Sequence, residues 1–343
     1  MPMNAPTPDQ RLLGILTGNW LAASLHAATI LGIPDLLAAG ARSVEDLAEV
    51  TGTKVDPLRR TLRALVAHGV FAERDDGRFE QTEMSNLLRA DVVGSRRSLL
   101  LLIGGAVIST PWGEMLHSLR TGATAFSKVH GVEIFEYLRG DAQETATYNK
   151  VMTQGSALLA EEIIHAYDFS GFRTIVDVGG GQGWLLTSIL TAIPTARGIL
   201  LDRPDVTKSA QSVVKERGVA DRCEVIAGNF FEAIPQGGDA YITKWVIHNW
   251  SDEDARKILR NVRSVIPRDG RLIICDRVIP ERITDGDPVL QYNTLMDVNM
   301  LVNITGRERT EGEFRELLRA SGFKMSSVRS VPSGFGIVEG TPL

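Results

Sequence analysis

Apolar and polar positions alternate in two regimes along the chain. From Arg11 to about Thr110 the apolar residues recur at helical spacing, and Leu12, Leu13, Leu16, Trp20, Leu21 and Leu25 form the first such face. Ser43-Val-Glu-Asp-Leu47 pairs an N-cap serine with an acidic first turn. Thr51-Gly52-Thr53 is a turn. Asp56-Pro57 then opens a second helix, with proline at its first helical position, running through Leu58, Leu62, Leu65 and Val66. Val70-Phe-Ala-Glu-Arg74 and Gly77-Arg-Phe-Glu80 predict a β-hairpin around Asp75-Asp76-Gly77. Helix, turn, helix and hairpin in that order is a winged-helix-like pattern. Stretches 112–119 and 132–138 predict short amphipathic helices, and 142–167 predicts a longer one carrying Tyr148, Met152, Leu158, Leu159, Ile163 and Ile164.

From Phe172 the period changes. Short β-branched runs (174–178, 198–202, 222–227, 240–245 and 271–276) alternate with helical patterns, which predicts an α/β domain around a parallel sheet. Runs 323–331 and 335–339 close the chain, the last hairpinned on its predecessor. The expected division is 1–110, 111–170 and 171–343.

The first of these runs ends in a dense glycine turn, Thr174-Ile-Val-Asp-Val-Gly-Gly-Gly-Gln-Gly-Trp184, followed by an apolar helix. Strand, glycine turn and helix is how a doubly wound fold receives a nucleotide-like ligand, since a Cβ in the turn would hold the backbone away from it. A dinucleotide fingerprint needs G-x-G-x-x-G. Here the third slot is Trp184 or Leu186, and the run reads instead as Asp177, Gly179, Gly181, Gly183. The alternative to a dinucleotide's pyrophosphate is a ligand with an amino-acid tail, whose ammonium can use a carboxylate. Taken alone the spacing leaves both open. Asp202, at the end of the next strand and roughly 20 residues on, suits ribose hydroxyls and does not choose between them.

Composition narrows the classes. The 343 residues are 43% apolar and 23% charged, an ordinary globular balance, and the net charge of −5 gives no general affinity for nucleic acid or anionic membrane. Lys54, Arg59, Arg60 and Arg63 lie on the second helix, but Asp56 shares it, Glu45, Asp46 and Glu49 precede it, and Asp75, Asp76 and Glu80 sit on the hairpin. A phosphate-facing surface should be dominantly basic, so no nucleic-acid partner is expected. Met1–Gln10 has neither the basic nor the apolar region of a signal peptide, and no apolar run reaches the length of a membrane span, so the expectation is a cytoplasmic protein. Cys223 and Cys275 form no C-x-x-C, and the remaining histidines have no ligand spacing, so no metal is implied. The N-terminal face with Leu12, Leu16 and Trp20 is too apolar to be solvated, which predicts a homodimer.

Three pieces in the second half carry the chemistry. Thr243-Lys-Trp-Val-Ile-His-Asn-Trp-Ser-Asp-Glu-Asp254 puts His248 in the loop after a strand, where ligands bind in open α/β sheets. Asp276 is an acid at another strand end. Gly306-Arg-Glu-Arg-Thr-Glu-Gly-Glu-Phe314 places Glu308 just before a helix capped by Thr310, with Glu313 at the capping-box position. With Asp177-Val-Gly-Gly-Gly-Gln-Gly183, Leu201-Asp-Arg-Pro204 and Gly228-Asn-Phe230, these motifs make the chain resemble, over essentially its full length, the caffeic-acid/hydroxyindole class of S-adenosyl-L-methionine (SAM)-dependent O-methyltransferases, including bacterial enzymes that tailor aromatic natural products.

The resemblance implies a Rossmann-like SAM-binding domain at 171–343, a winged-helix-like dimerisation domain at 1–110 and a helical segment at 111–170 lining the substrate pocket. It implies His248 as general base, with Asp276 and Glu308 flanking it and holding the imidazole. It implies cofactor contacts at Asp177, Gly179, Gly181, Gly183, Asp202, Asn229, Phe230, Lys244 and Trp245. Substrate contacts fall on Met152, Trp245, Asn249, Met300 and Asn303, the thioethers suiting a flat ring. Asn229, Asn249 and Asp276 stand where many members of the class carry Asp, Asp and Glu. A SAM-binding relative with a non-methylating or N-methylating reaction, and a ligand-sensing winged-helix regulator, are the alternatives.

Overall fold

In the computed structural model, which describes residues 6–284 and 286–343, the chain divides into two units. Met1–Ala5, half of the stretch read above for a leader, lies outside the described residues.

The first unit comprises residues up to Thr110 together with Gln143–Val151. Its leading apolar face is carried by two helices, Pro8–Leu16 and Gly18–Ile30, broken at Thr17 between two weak helix formers, Gly14 and Gly18. Ser43 caps Val44–Thr51 by accepting the N–H of Asp46, and Gly52 ends that helix in the left-handed region. The next helix, Val55–Ala67, begins two residues before the expected Pro57. Proline is tolerated there because the first turn's N–H groups have no intrahelical acceptor. Strands β1 (Phe71–Glu73) and β2 (Phe79–Gln81) form the expected hairpin, and Arg42 bridges to Phe79. Val44, Leu47, Leu58, Leu62, Leu65, Phe71 and Phe79 are buried together as this unit's core.

The second unit takes residues 111–142 and 152–343. Helices Met115–Thr121 and Ile134–Gly140 match the two short patterns, and Ala125–His130 is an additional one capped by Thr124. The long helix is Ala142–Ala166. Among the described residues no single helix is long and apolar enough to cross a membrane.

Strands β3 (Thr174–Val178), β4 (Arg197–Asp202), β5 (Cys223–Ala227), β6 (Ala240–Lys244), β7 (Arg271–Ile279), β8 (Arg309–Thr310), β9 (Phe323–Ser330) and β10 (Phe335–Pro342) build one sheet. Its order is β5-β4-β3-β6-β7-β10-β9, with the short β8 beside β7. β3 to β7 run parallel, and β10 is antiparallel to both its neighbours. Alternation along each strand sorts side chains between two cores. Ile175, Leu200, Ile242, Ile273 and Ile337 pack on one face under helices 184–192, 204–216 and 142–166. Val176, Val178, Tyr241, Leu272, Ile274 and Val338 pack on the other under helices 252–265 and 311–320. The chain steps outward from β3 through β4 to β5, then returns to β6 on β3's other side. That reversal opens a crevice beyond the carboxyl ends of β3 and β6, the place where such sheets take ligands.

Candidate active site

The glycine turn and Lys244 sit at this crevice. Gly179 and Gly181 have φ of 73° and 60°, left-handed values that a side chain resists. A Cβ on Gly179 would also lie 2.8 Å from Val246 Cγ2 and 3.4 Å from the Phe230 ring. Asp202 fixes the turn from the next strand: Oδ2 accepts the Gly181 N–H at 2.7 Å and Oδ1 the Arg203 N–H at 2.7 Å. Burial nonetheless pushes its pKa up. Each oxygen keeps a second lone pair, which is what a ribose hydroxyl needs.

Asp177 is buried in the middle of an apolar strand, and its Oδ1 has no hydrogen-bond partner. Burial pushes its pKa to about 7, against the opposing pull of Lys244. Lys244 Nζ donates to Ser156 Oγ at 2.7 Å and lies 3.8 Å over the Trp245 ring. Burial brings it down to about 8, partly offset by Asp177. An unpartnered buried carboxylate beside side-chain-free backbone fits a cationic nucleoside such as SAM. Asn229 is more committed than expected: Oδ1 accepts the Phe231 N–H at 3.0 Å and Nδ2 donates to Glu232 at 2.8 Å.

His248 lies on the 3-10 turn Ile247–Asn249 that follows β6. Trp245 starts the turn at φ 55°, the one positive-φ side chain among the described residues, a conformation that costs ~1–3 kcal/mol. The 306–310 segment holds the turn in place. Gly306 presses against it, the Arg307 N–H donates to the His248 carbonyl at 2.8 Å, and the buried Arg309 donates to the carbonyls of Ile247 at 3.1 Å and Trp250 at 3.0 Å. Asn249 Nδ2 closes the turn on the Trp245 carbonyl at 2.8 Å.

The two acids act on different parts of the histidine. Glu308 Oε1 meets the ring at Nδ1, 3.0 Å away. Asp276 does not hold the imidazole, as expected above; its Oδ2 accepts the backbone N–H of His248 at 3.1 Å. The reason is register: Asp276 belongs to β7, alongside the exit of β6, so it meets the main chain of the turn first. Burial disfavours a charged imidazole, yet the charges of Glu308 and Asp276 more than offset it and hold the His248 pKa above its ordinary value. Burial likewise opposes the Glu308 carboxylate, but His248 and Arg277 keep its pKa below the usual range. Asp276 is raised, chiefly by burial. An ionised Glu308 only accepts, so the ring proton sits on Nδ1 and Nε2 presents its lone pair. Nε2 has no partner among the described residues.

Of the other expected contacts, Met300 and Asn303 are buried and Met152 and Asn249 half-buried. Asn303 Nδ2 donates to Asn299 at 2.9 Å, leaving its Oδ1 without a partner. The sequence reading passed over Ser156, Arg277, Asp297 and Arg309. Asp297 Oδ1 accepts the Glu308 N–H at 2.8 Å. Only Arg309 had a signal, its place inside the Gly306–Thr310 motif.

Known proteins match this arrangement. Residues 112–324 match the model of the O-methyltransferase domain, and 13–91 that of the O-methyltransferase dimerisation domain. The chain is 39% identical to the phenazine O-methyltransferase PhzM of Lysobacter antibioticus, over 97% of this chain and 96% of that one. It superimposes on the mitomycin 7-O-methyltransferase MmcR with a TM-score of 0.91 at 36% identity, covering 98% of each chain. An O-methyltransferase of neocarzinostatin biosynthesis, solved with SAM and 2-hydroxy-5-methyl naphthoic acid, is similar at a TM-score of 0.81 and 30% identity, over 94% of this chain and 96% of that one. The chain belongs to the SAM-dependent O-methyltransferase family.

Proposed function

We propose that this enzyme methylates a hydroxyl of a phenolic or related aromatic small molecule, with His248 as its general base. The observation that carries the reading is the His248–Glu308 pair, which fixes the proton on Nδ1 and leaves Nε2 open. A phenol has a pKa of ~10 and histidine ~6.5, so full proton transfer in water costs roughly 5 kcal/mol. Glu308 and Asp276 favour the imidazolium and reduce that cost. The hydroxyl proton passes to Nε2, and the oxygen keeps its electron pair for the displacement. Bound SAM supplies an electrophilic methyl group on its sulfonium sulfur. Asp177, Asp202 and the Gly179–Gly183 turn, with Phe230 and Lys244, hold it, and Asn229 adds contact only through the second lone pair of its engaged Oδ1.

General base catalysis contributes ~10²–10⁴-fold, and positioning contributes about 7–11 kcal/mol. Positioning therefore outweighs the base. His248→Ala should lower kcat/KM by ~10²–10⁴-fold on an ordinary phenol, and by much less on a phenol already ionised at the assay pH. Label transfer from methyl-labelled SAM measures both. Equal losses on the two phenols would rule the base role out.

Met152, Met300, Asn249 and Asn303, with Trp245, are the residues proposed to meet the acceptor ring. A homodimer through the first unit is supported by its matched dimerisation domain and by Ile15 and Trp20, 77% and 68% exposed on the leading helices. Light scattering of the full chain at micromolar concentration should give twice the chain mass. No nucleic-acid partner is expected: Arg59 pairs with Glu45, Arg60 with Asp56, Arg63 with Glu73 and Arg74 with Glu80, leaving little charge for phosphate. No membrane partner is expected either, and the proposed location is the cytoplasm. A salt-sensitive gel shift on duplex DNA, or fractionation with membranes, would contradict this paragraph.

A further inference from the structure

The base reading leaves one buried cation unused. Arg277, on β7 next to Asp276, has an 8% exposed side chain, and its Nη1 lies 3.3 Å from Glu308 Oε1, the same oxygen that meets His248 Nδ1. Its Nε donates to Asn293 Oδ1 at 3.0 Å, and Asn293 Nδ2 in turn donates to the Gly334 carbonyl at 3.0 Å. The guanidinium also lies 4.3 Å over the Phe335 ring. An arginine held at this many points is not a loose counter-ion, because its place relative to Glu308 is set by Asn293 on one side and Phe335 of β10 on the other.

We propose that Arg277 is a positioning residue that acts on His248 through Glu308, sharing Oε1 with the imidazole and setting how basic His248 is. The proposal rests on the base role of His248 above. One carboxylate oxygen serves two cations. A guanidinium is a permanent cation, so Glu308 keeps a charged partner whether His248 is neutral or protonated. The same charge opposes the proton on the imidazole. Glu308 alone would make His248 a stronger base, and one slower to give up the proton it holds. Arg277 trims that gain. Among the other charged groups around the ring, Asp276 is bound to the His248 N–H, Asp297 to the Glu308 N–H, and Arg309 to Asp252 and the turn carbonyls. Arg277 is therefore the cation coupled to the ring through its carboxylate. The direction of the pKa effects agrees, with Arg277 lowering both Glu308 and His248.

The test compares R277M, R277Q and R277K with wild type by two readouts. One is the His248 ring titration by NMR. The other is the pH profile of kcat/KM on an acceptor whose hydroxyl does not titrate in the range. Removing the charge should raise the His248 midpoint by about one pH unit, and the acid limb of kcat/KM should move up with it. R277K should keep the wild-type midpoint even if its rate falls through poorer geometry. R277Q, which keeps a donor near Oε1, covers the case where R277M does not fold. An unchanged midpoint in folded R277M or R277Q overturns the proposal, because a purely structural arginine would lower the rate without moving it. If the wild-type rate does not follow the ring titration, the base assignment fails instead, and the coupling to Arg277 is still judged on the ring.

Discussion

Gly306 lies so close to the turn bearing His248 that a Cβ on it would overlap the His248 carbonyl oxygen and sit 2.6 Å from Asn249 Cα. Backbone dihedrals are not the reason, since Gly306 is not among the positive-φ glycines. Close approach is. It lets the Arg307 N–H reach the His248 carbonyl and brings Glu308 to the ring. Gly306→Ala should therefore push the turn away by a large fraction of an ångström. A misplacement of that size costs ~10²-fold in rate. Far-UV circular dichroism should stay near wild type, since the sheet cores lie elsewhere. A G306A enzyme with wild-type kcat would show that the contact does not position the histidine.

Glu308→Gln removes the charge and keeps the shape. His248 then loses its main source of raised basicity, so the acid limb of kcat/KM should move down by about one unit, opposite to R277M. The stability effect has its own sign. The folded pKa of Glu308 lies below its ordinary 4.5, so its contribution is present above pH 4.5 and lost as pH falls through the folded value. The His248 contribution runs the other way, complete below 6.5 and lost as pH rises through its raised folded value. The gap in Tm between wild type and E308Q should be widest between those limits and close below pH 4.5. A gap that is constant from pH 3 to 8 would mean that the pair carries no net linkage.

Much of this was readable from the chain. Periodicity located the long helix, the sheet strands and the hairpin, because each buries one regular face. The glycine turn and the Gly306–Thr310 motif were readable because their residue types are unusual in sequence. What escaped depends on tertiary contact. Glu308 is 60 residues from His248, and nothing local to Asp276 says that it meets a backbone N–H and not a ring. Arg277 and Ser156 look like ordinary strand and helix residues until β7 and the long helix are folded. Helix 125–130 is too short for a periodic signal, and the break at Thr17 follows from two flanking glycines that the leucine pattern outweighed.

Gly155 offers a case where the usual rule reverses. In the middle of a helix, Gly→Ala normally stabilises by ~0.5–1 kcal/mol. Here a Cβ would lie 2.5 Å from Cη2 and 3.1 Å from Cζ3 of Trp245. That ring cannot step aside freely. The Trp245 backbone N–H is bonded to the Cys275 carbonyl at 3.2 Å, the Lys244 ammonium lies over one face of the ring, and Phe335 packs against it at 5.6 Å. G155A should therefore destabilise by about 1–3 kcal/mol in chemical denaturation and weaken SAM binding through Lys244. A more stable G155A protein would show that Trp245 has room to move.

Asp177 ties cofactor affinity to pH. Its buried carboxyl has a pKa of about 7, so at pH 6 most of the ligand-free protein carries it protonated. A cationic ligand favours the carboxylate, so binding at pH 6 must also remove a proton. Affinity for S-adenosylhomocysteine, which keeps the amino-acid tail, should rise from pH 6 to 7.5 by up to tenfold per unit and then level as Asp177 is already ionised. Proton release on binding should be larger at pH 6 than at pH 8, read by calorimetry in buffers of different ionisation heat. Asp177→Asn should flatten both trends and bind more weakly at pH 8. If the wild-type affinity is flat across this range, either the carboxylate is already ionised before the ligand arrives or the ammonium does not meet it. The D177N affinity at pH 8 separates the two: a loss supports the contact, and none removes it.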